Sequence, residues 1–379
     1  MSTRQIYGRA FVDGSLRDDI LITIDEQVIV DVAQTASAPA GAERISAGII
    51  TPGFIDVHVH GGDGADFMDA HEDSTARILG FHAMHGTTAL AATTLSASRG
   101  DLHNAVDVIA RVSGERPPGA EIVAVHLEGP FINAMRAGAQ DRASIRIADI
   151  HEVASLIAQA PRLRWIATIA PEIEGVRALI EHFRDRVLFS IGHTSADHAA
   201  AVAAIEWGAS HFTHLYNAMT PLHHRDPGVV GAALTSVHAT AELIADGVHV
   251  HPAALRIAVG MMPHRIALIT DAMRACGLSD GTYNLYDYEV TVADGEARLP
   301  DGTLAGSVLT MGEAVKNMIE LAGLPVETVL PLATEVPARI AAVNDRKGRI
   351  ESRYDADLVV LTDRFDVARV WARGAELGG

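Results

Sequence analysis

Apolar runs along this chain alternate with amphipathic stretches, and the apolar runs repeatedly end in a charged or imidazole side chain. From residue 53 onward, eight runs read as strands: 53–59, 87–93, 121–128, 164–170, 187–193, 209–214, 241–247 and 266–271. Helix-like stretches lie between them, among them 73–84, 101–112, 149–160, 174–183, 196–207 and 252–262, with a last one near 311–322. Asp149 and Ser195 stand at helix starts, where a short polar side chain can accept from free backbone N–H groups. Eight strands alternating with helices predict an α/β fold, a TIM-like (β/α)8 barrel, with an open doubly wound sheet as the alternative. The polar clustering at strand C-termini favours the barrel, because that is the rim where barrels carry their chemistry.

The two ends of the chain have a different pattern. Residues 5–12, 19–26 and 27–33 alternate as short strands around a turn at 13–16, and the tail from 348 returns to the same style. A small β-sandwich formed from both termini is therefore expected, with boundaries 1–50, 51–342 and 343–379. Residues 282–304 read as a hairpin-rich insertion with a turn at 294–296.

Composition narrows the functional classes. The 379 residues are 48% hydrophobic and 21% charged, enough for a large core. A net charge of −18 argues against nucleic-acid or anionic-membrane partners, and an anionic substrate would need locally gathered cations. The single cysteine, Cys276, excludes an intrachain disulfide and a cysteine-based zinc site. With no apolar leader at the start and no 18-residue apolar run, the chain reads as soluble and cytoplasmic. Lys316 and Lys347 are the only lysines.

The strand ends carry the candidate chemistry. His58 and His60 are two apart in one strand, so both point to one side and can share a metal. The run 122–125 stops at His126, Glu128 and a Gly-Pro breaker, which delivers the Glu128 carboxylate to the rim. His193 and His214 end two further strands. Glu128, His193 and His214 form a donor set that leaves an open position for water, as catalytic zinc sites do. His211, deeper in its strand, reads as a structural or supporting group. Asp271 ends the eighth strand, where an aspartate beside a metal-bound water can move its proton. Arg225 with His223 and His224, after the sixth strand, and His249 and His251, after the seventh, read as a cation cluster forming an anion pocket in an otherwise acidic chain. The ligand types suit zinc, iron or another divalent ion, as one or two per subunit.

Taken in order, the motifs PGFIDVHVHGG (52–62), HGTTALAATT (85–94), HLEGPFIN (126–133), GHT (192–194), THLYNAM (213–219), DGVHV (246–250), TDAM (270–273) and DADLVVL (355–361) are similar to those of the N-acetylglucosamine-6-phosphate deacetylases of the amidohydrolase superfamily. The resemblance covers nearly the whole chain. It implies a barrel with a small β-sandwich, metal ligation by Glu128, His193 and His214, and a catalytic acid/base at Asp271. It also implies a second metal at His58 and His60, substrate contacts at Asn217 and Ala218, and phosphate contacts at Arg225 and His249. A homodimer acting on a phosphorylated amino sugar is implied, with phosphate contacts open to contribution from the neighbouring subunit. One position departs: Gln140 stands where the family usually has a substrate-contacting histidine. An amide still donates a hydrogen bond but carries no charge, so a related acetamido sugar, N-acetylgalactosamine 6-phosphate or an unphosphorylated one, stays open. Cyclic-amide hydrolases of the superfamily use a carboxylated lysine at a strand end, and neither lysine here ends a candidate strand. A catalytically dead barrel serving as a binding protein is disfavoured because every ligand position and the acid/base are filled.

Overall fold

The computed structural model describes residues 3–286 and 288–378. Met1, Ser2, Asp287 and Gly379 fall in the expected terminal segments and hairpin and lie outside the described residues. Eight parallel strands form the central sheet: Phe54–Val59, Thr87–Thr94, Glu121–Glu128, Arg164–Ile169, Val187–Ile191, His211–Phe212, Thr240–Ile244 and Ile266–Ile269. Each pairs with the next in chain order. The ends meet as well: Asp271 N–H donates to His58 O at 2.9 Å, and His60 N–H and Gly61 N–H both donate to Ala272 O at 2.9 Å. The result is the TIM-like barrel, and its parallel strands aim every C-terminal end at one rim.

Helices cover the barrel much as the sequence pattern predicts, with three informative differences. Gly228–Thr235 is a helix that the polar/apolar pattern does not reveal, because Gly228 to Leu234 are all buried and the segment has no polar face. Val326–Ala333 and Glu335–Ile340 are also helical, each containing a proline (Pro331, Pro337), a residue that normally argues against a helix interior. Ser195 is not a helix cap: Asp197 caps His198–Trp207, accepting from Ala200 N–H at 2.8 Å. Ser195 N–H instead donates to Glu172 Oε1 at 2.7 Å.

Both termini build one further sheet. In it, Leu358–Leu361 pairs with Ile49–Pro52, which in turn pairs with Arg4–Val12. It has its own core of Ile6, Ile22, Ile29, Ile50, Leu358 and Trp371. This is the small β-sandwich domain. The insertion forms a three-stranded antiparallel sheet of Gly281–Leu285, Tyr288–Ala293 and Glu296–Arg298. No helix among the described residues is long and apolar enough to cross a membrane.

A buried ionic cluster ties the small domain to the barrel. Lys347 Nζ lies 2.5 Å from Asp357, 2.8 Å from Asp355 and 3.1 Å from Glu121, while Arg346 makes 2.9 and 3.0 Å hydrogen bonds to Glu121. Burial alone would raise the Glu121 carboxyl, but Arg346 and Lys347 overcome it and hold it at about 2, against an ordinary 4.5. A depressed carboxylate contributes stability that is complete above its unfolded value and is lost as pH falls through its folded value. The cluster should therefore hold to about pH 4.5 and give way towards pH 2, with about 3 kcal/mol at stake. Acid titration monitored by circular dichroism should show a Glu121→Gln variant less stable at pH 7 and less sensitive across that window. A variant with wild-type pH dependence would contradict the linkage.

Candidate active site

The barrel's C-terminal rim gathers four imidazoles and two carboxylates around a cavity of about 320 Å³. Glu128, the last residue of its strand, sits at the centre. Its Oε1 lies 3.1 Å from His193 Nε2, 3.2 Å from His214 Nε2 and 3.3 Å from His58 Nε2, and its Oε2 lies 3.2 Å from His60 Nε2. His193 Nε2 and His214 Nε2 are 3.0 Å apart, and His58 Nε2 and His60 Nε2 are 3.3 Å apart. Asp271 Oδ1 is 3.3 Å from His60 Nε2 and 3.6 Å from His58 Nε2. His193, His214 and Asp271 all have positive φ, at 45°, 29° and 50°. Non-glycine residues rarely adopt that conformation, and here it turns each side chain inward at its strand end.

The tautomers show what this arrangement accepts. His193 Nδ1 donates to Arg136 O at 2.8 Å, so in the neutral ring its Nε2 presents a lone pair to the cavity. His58 Nδ1 donates to Glu242 Oε2 at 3.0 Å, with the same consequence at its Nε2. The Nδ1 atoms of His60 and His214 are buried without a partner. Imidazole nitrogens and carboxylate oxygens gathered at 3.0–3.3 Å need positive charge between them, which a metal ion supplies or, without one, protons on the rings. Among the described residues three groups of donors lie close enough to hold a divalent ion: Glu128 with His193 and His214, and His58 and His60 with Asp271, both faced by the Glu128 oxygens, and, deeper in the barrel, His58 with His126 and Glu242. The electrostatics agree. Burial opposes charge on His60, yet its hydrogen bonds with Asp271 and Glu128 push it up to about 9. Burial would likewise raise Glu128, but His58, His193 and His214 hold it well below the usual carboxylate range.

Behind these groups lies a carboxylate that sequence reasoning missed. Glu242 is fully buried, and its Oε2 accepts both from His58 and from His214 N–H at 3.0 Å. Its Oε1 takes His211 Nε2 at 3.0 Å, and His211 Nδ1 faces the Thr240 hydroxyl at 2.7 Å. One carboxylate thus orients a histidine from the first strand and the loop carrying another from the sixth, the carboxylate–histidine arrangement that supports metal ligands. His126 is buried below, between Val57 O at 3.0 Å and Thr168 Oγ1 at 2.8 Å, and burial together with His58 lowers it to about 3.

The remaining candidates separate. Asn217, Ala218, Gln140 and His249 line the cavity, His249 being held by Asp246 at 2.6 Å. Gln140 spends its amide internally: its Nε2 donates to Glu128 Oε2 and its Oε1 accepts from Ser96 N–H at 2.6 Å. Arg225 is not at the cavity. It lies in the exposed stretch 221–226 with its Nη1 2.7 Å from His224 Nε2. The arginine that does line the cavity is Arg136, which no motif marked. Leu285, Thr303 and Leu304 of the insertion wall one side. Neither lysine reaches the cavity: Lys316 pairs with Asp366 and Lys347 belongs to the domain-joining cluster.

Comparison with known proteins agrees with this architecture. The chain is 41% identical over 332 residues to the N-acetylglucosamine-6-phosphate deacetylase of Bacillus subtilis, covering 86% of this chain and 84% of that one. It is 37% identical to the N-acetylgalactosamine-6-phosphate deacetylase of Escherichia coli O157:H7, over 94% of both chains. Its fold matches a variant of the N-acetyl-D-glucosamine-6-phosphate deacetylase of Mycobacterium smegmatis in complex with N-acetyl-D-glucosamine-6-phosphate, with a TM-score of 0.94, 33% identity and 100% of both chains covered. Residues 49–377 match the amidohydrolase family, and the chain belongs to that family.

Proposed function

We propose that this protein hydrolyses the acetamide of N-acetyl-D-glucosamine 6-phosphate to D-glucosamine 6-phosphate and acetate. The observation carrying this reading is the convergence of Glu128, four histidine Nε2 atoms and Asp271 at the floor of a cavity with Arg136 on its wall. Glu128, His193 and His214 would hold one divalent ion, and His58, His60 and Asp271 a second, zinc being the first choice and iron the alternative. Bound there, the metal supplies Lewis acidity towards the amide oxygen and lowers the pKa of a water molecule. Asp271, kept ionised by its histidine neighbours, takes a proton from the water that attacks the acetyl carbon. It returns that proton to the sugar nitrogen as the C–N bond breaks, so acetate and a free amine leave. Gln140 holds Glu128 in place, and Asn217 and Ala218 border the sugar. His249 and Arg136 meet the phosphate from within the chain. Arg225, exposed and not among the residues lining its own chain's cavity, would serve the neighbouring subunit's site in a homodimer. The single buried thiol, Cys276, suits a reducing cytoplasm.

The relative named for N-acetylgalactosamine 6-phosphate, together with Gln140, supports a second reading in which the C4 epimer is the substrate. Acetate release from three sugars tests both. The 6-phosphate should raise kcat/KM over N-acetylglucosamine by about 100-fold, the size expected of one or two charge-assisted contacts. Equal rates would remove the phosphate pocket from the reading. A preference for N-acetylgalactosamine 6-phosphate would move the assignment to the epimer.

A further inference from the structure

On the opposite rim, at the N-terminal ends of the barrel strands, a second cavity of about 720 Å³ is lined by five arginines: Arg116, Arg162, Arg164, Arg186 and Arg346. Glu121 is the one acidic residue lining it. In a chain of net charge −18, that concentration of positive charge is out of keeping with the rest of the molecule. Arginines at the bottom of a barrel ordinarily serve stability by pairing with carboxylates, and Arg346 does so, with Glu121 and with Asp355 at 2.5 Å. Arg116 approaches the same carboxylate at 3.7 Å. Arg346 and Lys347 thus already neutralise Glu121.

The other three arginines have no acid among the described residues. Arg164 opens the strand Arg164–Ile169, and Arg186 directly precedes Val187–Ile191, which pairs with it. Arg164 Nη1 reaches Arg186 O at 3.4 Å, while its Nε is buried with no hydrogen-bond partner. Arg186 donates to the Pro161 carbonyl. Among the described residues the Arg162 side chain has no hydrogen bond and no ion pair, and it is exposed. Burial, and then the positive charge of Arg186, lower the Arg164 guanidinium from its ordinary value. A buried donor without a partner is costly, and the juxtaposed like charges of Arg164 and Arg186 add to that cost. Three arginines without an acidic partner among the described residues thus face one cavity of the size that takes small-molecule ligands, Arg164 partly buried and Arg162 and Arg186 at its exposed edge.

We propose that this cavity is an anion-binding site for a small phosphorylated molecule, separate from the catalytic cavity on the other rim. The phosphoryl group sits between Arg164 and Arg186, where guanidinium forks can give paired hydrogen bonds to its oxygens, and Arg162 closes the charge from the solvent side. Arg116 and Arg346 leave room for the rest of the ligand and hold Glu121 neutralised at its edge.

The test compares thermal unfolding of the metal-loaded enzyme with that of Arg164→Gln/Arg186→Gln during titration with inorganic phosphate, ionic strength being fixed with chloride. Phosphate should stabilise the wild type saturably. The double variant should lose that phase, or need at least about 10-fold more phosphate to reach it, the loss expected when paired charge-assisted contacts are removed. Without phosphate the double variant should melt at or above the wild type, because the like-charge strain is gone, and the order should reverse at saturating phosphate. Its deacetylase kcat and KM in phosphate-free buffer should be unchanged. The same half-saturation in both proteins would assign the whole response to the catalytic cavity and overturn the proposal, as would a stabilisation that chloride reproduces. If the double variant does not fold, Arg162→Gln carries the comparison: a threefold or greater weakening supports the site, and no change overturns it.

Discussion

Asp271→Asn should lower kcat by about 10³-fold, within the range of 10²–10⁴ that a positioned general acid–base contributes. The substitution keeps the volume of the side chain and its place beside His60 and His58. What it removes is the ability to accept a proton, together with the anionic donor of the group that His58 and His60 complete, while the group of Glu128, His193 and His214 is untouched. Burial would raise the Asp271 carboxyl, but His58 and His60 lower it, so it is ionised and ready to act as a base at neutral pH. Metal held by Glu128, His193 and His214 should remain, measured by elemental analysis of the purified variant. The pattern of retained metal with lost turnover separates proton transfer from site assembly. Near-normal turnover in Asp271→Asn would refute the acid–base role.

The parts of this site that were legible share one feature: each lies where an apolar run stops. Glu128, His193, His214 and Asp271 end barrel strands or the turns just after them, so position in the pattern alone aims them at the rim. The same reasoning could not find Glu242. It sits inside the apolar run Thr240–Ile244, where the sequence does not tell which side chain faces the barrel axis or what lies across it. Its partners come from other strands, and His58 is 184 residues away. Gln140 was visible as a departure from the family pattern, but its partners, Glu128 and Ser96, were not. Arg136 was silent because the single 3₁₀ turn Ala134–Arg136 is too short to show a period that would betray its direction. Arg225 was conspicuous for its charge and its histidine neighbours, yet the chain does not carry it to its own cavity. The fold was more readable than the site, because strand and helix periods repeat. It failed at Gly228–Thr235, where burial on every side removes the period.

Glu128→Gln tests how the two donor groups depend on one another. Glu128 is the one residue whose two carboxylate oxygens face both groups, with Oε1 towards His193, His214 and His58 and Oε2 towards His60. Gln140 Nε2 donates to that same Oε2. An amide at position 128 would present either its NH2 to Gln140, donor against donor, or its NH2 to two imidazole lone pairs that a cation should occupy. It would also remove a negative charge from a group of histidines gathered in a buried site. Both ions should therefore be weakened, with activity falling by about 10³-fold or more as the Lewis acid is lost. A His58→Asn variant, which cuts the second group alone, should lose at most one ion per chain and keep the one at Glu128, His193 and His214. Elemental analysis of wild type, His58→Asn and Glu128→Gln should then read two, one and none. If His58→Asn matches the wild type at one ion, the first-strand histidines support the site without ligating, and the enzyme works with a single metal. If Glu128→Gln keeps a full complement, its central place among the imidazoles is a hydrogen-bonding role, and the ligand assignment fails.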